Sequence, residues 1–208
     1  DYLDPQLISA ISGQACRNLD ITLCGETWVQ RAFHGYGGGN DLALVEGVMG
    51  LFDGIGNSEE GSTASVARQL GLPVVLVIDA GGQAASLAAL VRGFRDHDPR
   101  LTIAGVILNR VSTERHRELL EDVLERIQVP VLGCLPRCDD LALPSRHLGL
   151  SPAHELPQTE ERSQRWADLA QQHLNLEALI PLLRAPKPGD APLSNVREHL
   201  GRPRPVAV

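Results

Sequence analysis

Apolar and polar positions form blocks along the chain that predict strands and helices in turn. Three apolar runs, 73–80, 101–109 and 129–136, predict buried strands, and helical periodicity covers 83–97 and 113–127 between them. The first run is β-branched and uninterrupted, so it is the clearest of the buried strands. Strands that alternate with helices of this length require a parallel sheet with right-handed crossovers. The pattern therefore predicts an α/β fold.

A fourth apolar run, Leu42–Val45, leads into Glu46 and a glycine, and a second carboxylate, Asp53, follows seven positions after Glu46. Such a run is typical of a central strand in a parallel sheet, where ligands bind outside the carboxyl ends of the strands. Glu46 is therefore predicted at that edge, where a carboxylate can hold Mg²⁺ beside nucleotide phosphates. The alternatives are a surface or helix-capping Glu46 and a turn residue at Asp53.

Further segments have the apolar spacing of helices: 5–15, 26–36, 62–70 and 160–183. Ser62 or Thr63 can cap the third segment, and the fourth is predicted to be one long, partly amphipathic helix. His97 and His116 are predicted to be exposed helix residues. After Ala185 the composition turns to Pro, Gly and charge, which predicts a linker.

Composition narrows the function. A formal charge of -7 argues against nucleic-acid binding, whose affinity comes largely from clustered Lys and Arg. No apolar run approaches the roughly 20 residues that span a bilayer, and the start lacks a secretory signal, so a cytoplasmic protein without membrane contact is expected. Lys187 is the only lysine among 19 Lys and Arg residues. The chain therefore cannot contain the P-loop motif Gly-x-x-x-x-Gly-Lys-[Ser/Thr].

Motifs spread over the whole chain appear together and in order: Asp1–Pro5, Asn18–Asp20, Val45–Gly54, Gly105–Val111 and Leu143–Leu150. Together they closely resemble the cobyrinate a,c-diamide synthase family, and Val45–Gly54 is the most specific part. The resemblance implies a P-loop NTPase-like domain similar to dethiobiotin synthetase, with a mostly parallel sheet flanked by helices. It also implies that residues 1–184 are an amidoligase domain that lacks its P-loop strand. Residues 185–208 would then be a linker to a glutaminase domain that is missing.

The resemblance implies a ligase that amidates the a and c side-chain carboxylates of cobyrinate in cobalamin biosynthesis. A carboxylate is a poor electrophile, so ATP first phosphorylates its oxygen and ammonia then displaces phosphate from the acyl phosphate. The implied cofactors are ATP and Mg²⁺. The implied partners are a cobyrinate-type corrin and ammonia from a glutaminase domain of the same full-length chain, with a homodimer as a further option. The fragment alone is expected to be inactive.

The resemblance also assigns roles to individual residues. The catalytic set is Asp1, Asp4, Glu46 and Asp53, of which Glu46 and Asp1 would bind the metal. The substrate-binding set is Tyr2, Leu3, Arg146 and His147, and a solvated basic loop is the alternative for Arg146 and His147. The cofactor-binding set is Asn109, Pro136 and Arg137. Asn109 follows an apolar strand, and its amide offers a donor and an acceptor to the adenine edge. A turn residue is the alternative for Asn109, and Asp79, which also ends a strand, could support the site.

Other interpretations stay open at this point. Within enzymes, the substrate could be hydrogenobyrinate or a nickel-tetrapyrrole, or the protein could be a related cobyric acid synthase. The signature Glu-Gly-Val-Met-Gly-Leu-Phe-Asp favours the a,c-diamide branch. From another class, the chain could be a P-loop switch ATPase or a non-catalytic binding module. A switch ATPase would need neither a second carboxylate set at Asp1 and Asp4 nor an appended glutaminase.

Overall fold

A computed structural model of the protein describes residues 3–141 and 159–189. The chain divides into two compact units. Among the described residues, the first unit holds 3–18, 71–141 and 159–182, and the second holds 19–70 and 183–189. The sheet lies entirely in the first unit.

Within the described ranges the helices and strands follow in this order: α1 (Asp4–Ser12), α2 (Ile21–Cys24), α3 (Glu26–Gly37), α4 (Thr63–Leu70), β1 (Val74–Asp79), α5 (Ser86–His97), β2 (Ile103–Val111), α6 (Glu114–Glu125), β3 (Val131–Pro136), α7 (Thr159–His173) and α8 (Leu176–Leu179). Short 3-10 helices lie at Asp139–Leu141 and Ile180–Leu183.

The described sheet has the order β1-β2-β3, and both neighbouring pairs are parallel. The helix α5 connects the first pair and α6 connects the second, which is the β-α-β alternation that requires a parallel sheet. The α/β fold predicted from the sequence is therefore confirmed.

The core of the first unit is built on the central strand β2, where Val106 and Leu108 are fully buried. Each crossover helix contributes two buried side chains spaced by one helical turn, so each presents an apolar stripe. These are Leu87 and Val91 of α5, and Leu120 and Leu124 of α6.

One strand departs from the prediction. In β1, Leu76 and Ile78 are buried, whereas Val77 between them is 67% exposed. Successive side chains of a strand point to opposite faces, so only the face of Leu76 and Ile78 is covered within this unit. The prediction of a buried strand at 73–80 is confirmed at Leu76 and Ile78 and is wrong at Val77, whereas Val75 is half-buried.

The predicted strand at Leu42–Val45 does not form. Leu42 makes an isolated antiparallel bridge with Arg184, Ala43 N–H donates to the Leu183 carbonyl oxygen at 2.8 Å, and Leu44 is 80% exposed. A strand needs a hydrogen-bonded neighbour along its length. In the described part of the second unit this segment has one only at Leu42 and Ala43, so the prediction of a buried strand is wrong.

The predicted long helix at 160–183 breaks after α7. Asn175 N–H donates to the Leu132 carbonyl oxygen of β3 at 2.8 Å, and Leu174 bridges Gly133. The Asn175 side chain then caps α8 by accepting from Ala178 N–H at 3.1 Å. The prediction of one helix is wrong because the backbone at 174–175 bonds to the sheet edge instead of continuing the helix.

Helix caps follow the sequence prediction more closely. Ser62, rather than Thr63, caps α4: its Oγ accepts from Ser65 N–H at 3.2 Å, and the side chain is almost fully buried. Thr113 caps α6 by accepting from His116 N–H at 3.1 Å. A short hydroxyl side chain at this position satisfies a backbone donor that the helix leaves unpaired.

Candidate functional site

The carboxyl ends of the three strands meet at one edge of the sheet. Asp79, the last residue of β1, pairs with Asn109, and Pro136, the last residue of β3, pairs with Val111. Ligands of open α/β sheets bind outside this edge. The structure therefore brings together Asp79, Asn109 and Pro136, all singled out from the sequence, with Arg137 next along the chain.

The strand β2 bulges as it reaches this edge. Leu108 pairs with Cys134 and Val111 with Pro136, so two residues of β2 lie opposite one residue of β3. The second of these two residues, Arg110, has a φ of 62°. This value lies in the left-handed region that residues other than glycine rarely adopt. Bulges of this kind redirect side chains and are common beside active sites.

Hydrogen bonds link the ends of β1 and β2. The Arg110 guanidinium donates from Nη1 to Asp79 Oδ2 at 2.8 Å, and Gly81 N–H donates to Asp79 Oδ1 at 2.9 Å. The bond from Gly81, with a further contribution from the positive charge of Arg110, lowers the pKa of the Asp79 carboxyl below its ordinary value. Asp79 therefore accepts from a backbone amide and pairs with a cation at the same time.

Asn109 accepts a hydrogen bond from Arg110 N–H to its Oδ1 at 2.9 Å. Among residues 3–141 and 159–189, its Nδ2 makes no hydrogen bond. An amide oxygen has two lone pairs, so Asn109 keeps one acceptor site and two donor hydrogens. It can therefore offer a donor and an acceptor together, and its contact with adenine stays a prediction. Asn109 lies within β2 rather than in a turn.

His116 was not identified from the sequence as part of this edge. It is half-buried, so the prediction of an exposed helix residue is wrong for His116. Its Nε2 bonds to the Gln83 carbonyl oxygen at 2.8 Å, and Gln83 Nε2 donates to the Asp79 carbonyl oxygen at 3.0 Å. Arg110 was missed as well. Arg110 could have been found because it directly follows the apolar run 101–109, whereas His116 lies further on, in the first turn of α6, and has no such signal.

The third strand end carries a positive charge. Arg137 follows β3 and donates from Nε to both carboxylate oxygens of Asp139, at 2.9 and 3.0 Å. The hydrogen bond to Asp139 and the charge of that carboxylate raise the pKa of Arg137. Both side chains are largely exposed, so the guanidinium remains accessible to an anion from solvent.

The carboxylates of the Val45–Gly54 motif belong to the second unit. Glu46 is exposed in irregular backbone, and among the described residues it makes no hydrogen bond or ion pair. Asp53 Oδ2 accepts from Gly50 N–H at 3.0 Å, and Asp53 N–H donates back to the Gly50 carbonyl oxygen at 3.1 Å. A side chain at Gly50 would collide with the Asp53 carboxylate. Asp53 thus has the turn role that was the alternative, and a catalytic role stays a prediction.

Several predicted residues lie outside the described ranges: Asp1, Tyr2, Arg146 and His147. Leu3 and Asp4 are half-buried at the start of α1, of which Asp4 is the first residue. Over 3–141 and 159–189, no group of three or more His, Cys, Asp or Glu side chains is arranged to hold a metal ion. The predicted pair Glu46 and Asp1 includes an undescribed residue, so the metal site stays a prediction.

A cavity of about 270 Å³ lies beside β3 in the first unit. Its lining combines charged and amide side chains with the backbone of the strand: Arg117, Glu121, Val131, Leu132, Gly133, Cys134, Gln172, His173, Leu174 and Asn175. Burial raises the pKa of the Cys134 thiol to about 11, and the negative charge of Glu121 acts in the same direction. This thiol is therefore protonated at neutral pH and is a poor nucleophile.

Comparison with known proteins identifies the family. A family model described as an AAA domain matches residues 32–145. The chain belongs to this AAA domain family. Nucleotide binding is implied by the P-loop NTPase-like character of the family. No solved structure matches the chain.

The chain is also similar to curated enzymes. It is 47% identical to a cobyrinate a,c-diamide synthase of Synechocystis over 93% of this chain and 41% of the relative. It is 44% identical to the one of Gloeobacter violaceus, over 98% of this chain and 47% of the relative. It is 41% identical to a hydrogenobyrinate a,c-diamide synthase of Streptomyces coelicolor, over 100% of this chain and 48% of the relative. The predicted resemblance is confirmed, and the chain spans less than half the length of these relatives.

No helix within the described residues is both long enough and apolar enough to cross a bilayer.

Proposed function

We propose that this chain is the nucleotide-binding amidoligase domain of an enzyme that amidates the a and c carboxylates of cobyrinate, with ATP and glutamine as co-substrates. The observation that carries the proposal is the Asn109 carboxamide at the carboxyl edge of the parallel sheet, with Nδ2 unbonded among the described residues. The similarity to cobyrinate a,c-diamide synthases over most of the chain supports the choice of substrate.

The base of ATP is proposed to lie against Asn109 and Pro136. Adenine presents an amino donor next to a ring-nitrogen acceptor, whereas guanine presents a carbonyl oxygen in place of the amino group. The remaining lone pair of Asn109 Oδ1 and its Nδ2 hydrogens match the adenine pattern. Pro136 adds an apolar surface at the neighbouring strand end, and Arg137 adds a positive charge for the anionic part of the nucleotide.

The chemistry that follows is phosphoryl transfer and then acyl transfer. The corrin carboxylate oxygen attacks the γ-phosphorus of ATP and ADP leaves, which creates an acyl phosphate. Ammonia then attacks the acyl carbon and phosphate leaves, which creates the amide. The protein mainly positions these groups and compensates charge. This proposal includes the predicted substrate-binding residues and the predicted catalytic residues. The first are Tyr2, Leu3, Arg146 and His147, and the second are Asp1, Asp4 and Asp53.

Magnesium is proposed as the counter-ion of the ATP phosphates, with Glu46 as one carboxylate ligand and Asp1 as the second. The described residues do not form a cage of three or more protein ligands. A single exposed carboxylate still suits Mg²⁺, because this ion keeps several water molecules and usually takes one or two carboxylates beside substrate phosphates. When bound, the ion would compensate part of the negative charge of the phosphates.

The remaining parts of the enzyme are proposed to come from outside the 208 residues. The chain has no Gly-x-x-x-x-Gly-Lys-[Ser/Thr] motif, because its only lysine is Lys187 in a Pro-rich stretch. Its relatives are more than twice as long as the matched region. Residues 1–184 are therefore proposed as the amidoligase domain and 185–208 as a linker to a glutaminase domain.

The test is turnover by the complete protein with ATP, Mg²⁺, glutamine and cobyrinate. We expect ADP and glutamate to appear in step with corrin amides, which mass spectrometry identifies. The 208-residue chain supplied with ammonia instead of glutamine should produce none. ATP hydrolysis by the complete protein without amide formation would instead indicate a switch ATPase, and no nucleotide binding at all would indicate a non-catalytic module.

Hydrogenobyrinate is the second candidate substrate, because the Streptomyces coelicolor relative carries that name and is 41% identical over the whole chain. Hydrogenobyrinate differs from cobyrinate in lacking cobalt. The two corrins are therefore compared side by side at equal concentration, and the higher kcat/KM identifies the substrate.

A further inference from the structure

Arg110 occupies an unusual position for an arginine. Its backbone is left-handed, at a φ of 62°, inside the bulge of β2, and its side chain is 48% exposed. A strained conformation of this kind persists only where surrounding contacts hold it, and it is common at functional sites. The contacts of Arg110 therefore indicate what its conformation achieves.

A chain of hydrogen bonds runs through the residue. Gly81 N–H donates to Asp79, Asp79 accepts from the Arg110 guanidinium, and Arg110 N–H donates to Asn109 Oδ1, each over 2.8 to 2.9 Å. A Cβ at Gly81 would lie 3.0 Å from Asp79 Oδ1, so a side chain at this position would crowd the first link. The backbone of Asp79 is held in turn by Gln83, which donates to its carbonyl oxygen.

The last link decides which way the Asn109 carboxamide faces. A backbone N–H can only donate, so it selects the oxygen end of the amide and excludes the nitrogen end. The direction of that N–H is set by the left-handed backbone at Arg110, and the ion pair with Asp79 holds the side chain of the same residue. One lone pair of Asn109 Oδ1 is therefore tied to the bulge, and its second lone pair and the Nδ2 hydrogens are left for a ligand.

We propose that Arg110 is a positioning residue for nucleotide selection: the Asp79–Arg110 ion pair holds the left-handed bulge that orients the Asn109 carboxamide toward the base. The inference rests on the proposed function in one respect, namely that the base contacts Asn109. It assigns to Arg110 no direct contact with the nucleotide. The guanidinium acts through Asn109, and its importance lies in holding a backbone that arginine does not favour.

Glycine provides a sharp test, because it adopts a left-handed backbone without strain. Both Arg110→Gly and Arg110→Ala remove the ion pair with Asp79. If the ion pair serves to hold the left-handed backbone, only Arg110→Gly should keep that backbone without it. In the complete protein, Arg110→Ala should narrow the preference for ATP over GTP by about five- to tenfold, the effect of one misdirected hydrogen bond. The change should fall on the KM for ATP rather than on kcat. Arg110→Gly should retain most of the preference.

Two further variants complete the comparison. Asp79→Asn keeps the shape of the side chain and weakens the ion pair, so it should narrow the preference for ATP over GTP, as Arg110→Ala does. If Arg110→Ala fails to fold, Asp79→Asn takes its place in the comparison. Adding Arg110→Gly to Asp79→Asn should recover the preference. Arg126→Ala is the matched control, because it removes another exposed arginine–aspartate pair, with Asp122 on α6. Thermal melting of each variant confirms that it is folded.

The outcomes separate this inference from the function on which it rests. If Asn109→Ala leaves the ATP to GTP ratio unchanged, the base does not contact Asn109 and the proposed nucleotide site fails. If Asn109→Ala narrows the ratio while Arg110→Ala and Arg110→Gly lower ATP affinity equally, the guanidinium itself contacts the ligand and the positioning role is overturned. If Asn109→Ala narrows the ratio and neither Arg110 variant does, the positioning role is overturned as well.

Discussion

His116 donates from Nε2 to the backbone carbonyl oxygen of Gln83 across 2.8 Å, so a side chain of α6 holds the loop that follows β1. A carbonyl oxygen can only accept, so Nε2 carries the hydrogen of this bond, and Nδ1 accepts from Ser112 N–H at 3.3 Å. Nδ1 lies 3.1 Å from the Ser112 hydroxyl, which can donate to it. Both ring nitrogens are thereby engaged at the sheet edge where the nucleotide is proposed to bind.

Replacing this histidine should loosen the loop. We expect His116→Ala to lower the free energy of unfolding by about 1–2 kcal/mol, because a half-buried carbonyl oxygen loses its donor. The effect should be concentrated locally. Hydrogen exchange should become faster in the loop at 80–85, which His116 contacts, than in the core of α6.

The control for this prediction is Arg115→Ala, which removes an exposed neighbour on the same helix and should change neither quantity appreciably. Equal exchange rates at 80–85 in His116→Ala and the wild type would show that the loop is held by its other contacts, such as the bond from Gln83 to Asp79.

Removing the Asn109 amide should affect nucleotide choice rather than chemistry. In the complete protein, we expect Asn109→Ala to raise the KM for ATP and to narrow discrimination against GTP, with the saturated rate nearly intact. This pattern corresponds to the loss of binding that is equal in the ground and transition states. Steady-state kinetics with both nucleotides measures it. A collapse of kcat with an unchanged ATP to GTP ratio would assign Asn109 to the catalytic centre or to the fold.

Neutralising Glu46 should slow the reaction far more than it weakens corrin binding. Glu46→Gln keeps the size of the side chain and removes its charge, and the loss of one electrostatic group at a reacting centre commonly lowers the rate about 10²-fold or more. The measurement is kcat and corrin KM in the complete protein. Glu60→Gln, another exposed carboxylate of the same unit, is the control. Activity within about twofold of wild type would assign Glu46 to the surface role.

The cysteines should differ sharply in reactivity. The pKa of Cys134 is raised to about 11 by burial, whereas Cys24 is exposed. At pH 8 the thiolate is the reactive form, so iodoacetamide should modify Cys24 well before Cys134 in the native protein. Peptide mass spectrometry measures both. In urea the two should react at similar rates, and rapid modification of native Cys134 would contradict its burial.

The Cys134 thiol should make the free energy of unfolding depend on pH in the alkaline range. The folded pKa of Cys134 lies above its ordinary value of 9.0, so folding favours the protonated thiol. Its contribution is fully present below pH 9 and is lost as the pH rises toward about 11, because the unfolded chain loses that proton first. Cys134→Ser should reduce this part of the pH dependence in denaturant titrations.

Much of the first unit could be predicted from the sequence because its signals are local. A short apolar run rich in β-branched residues favours a strand, and helices between such runs favour a parallel order. That order already places Asp79, Asn109 and Pro136 at one edge, since each lies at the carboxyl end of its strand or within two residues of it, and parallel strands end together. The capping role of Ser62 was equally local, as a hydroxyl just before an apolar helix.

Tertiary structure decided the relationships that depend on a partner distant in sequence. Leu42–Val45 has the composition of a buried strand, but composition cannot supply the neighbouring strand that its backbone needs. The break at Asn175 depends on a bond to Leu132, and the bulge at Arg110 depends on the register between β2 and β3. The sequence by itself determined which segments could pair and where polar groups would end them. Only the assembled sheet determined which atoms meet, because hydrogen bonds are directional and the register of the strands sets their direction.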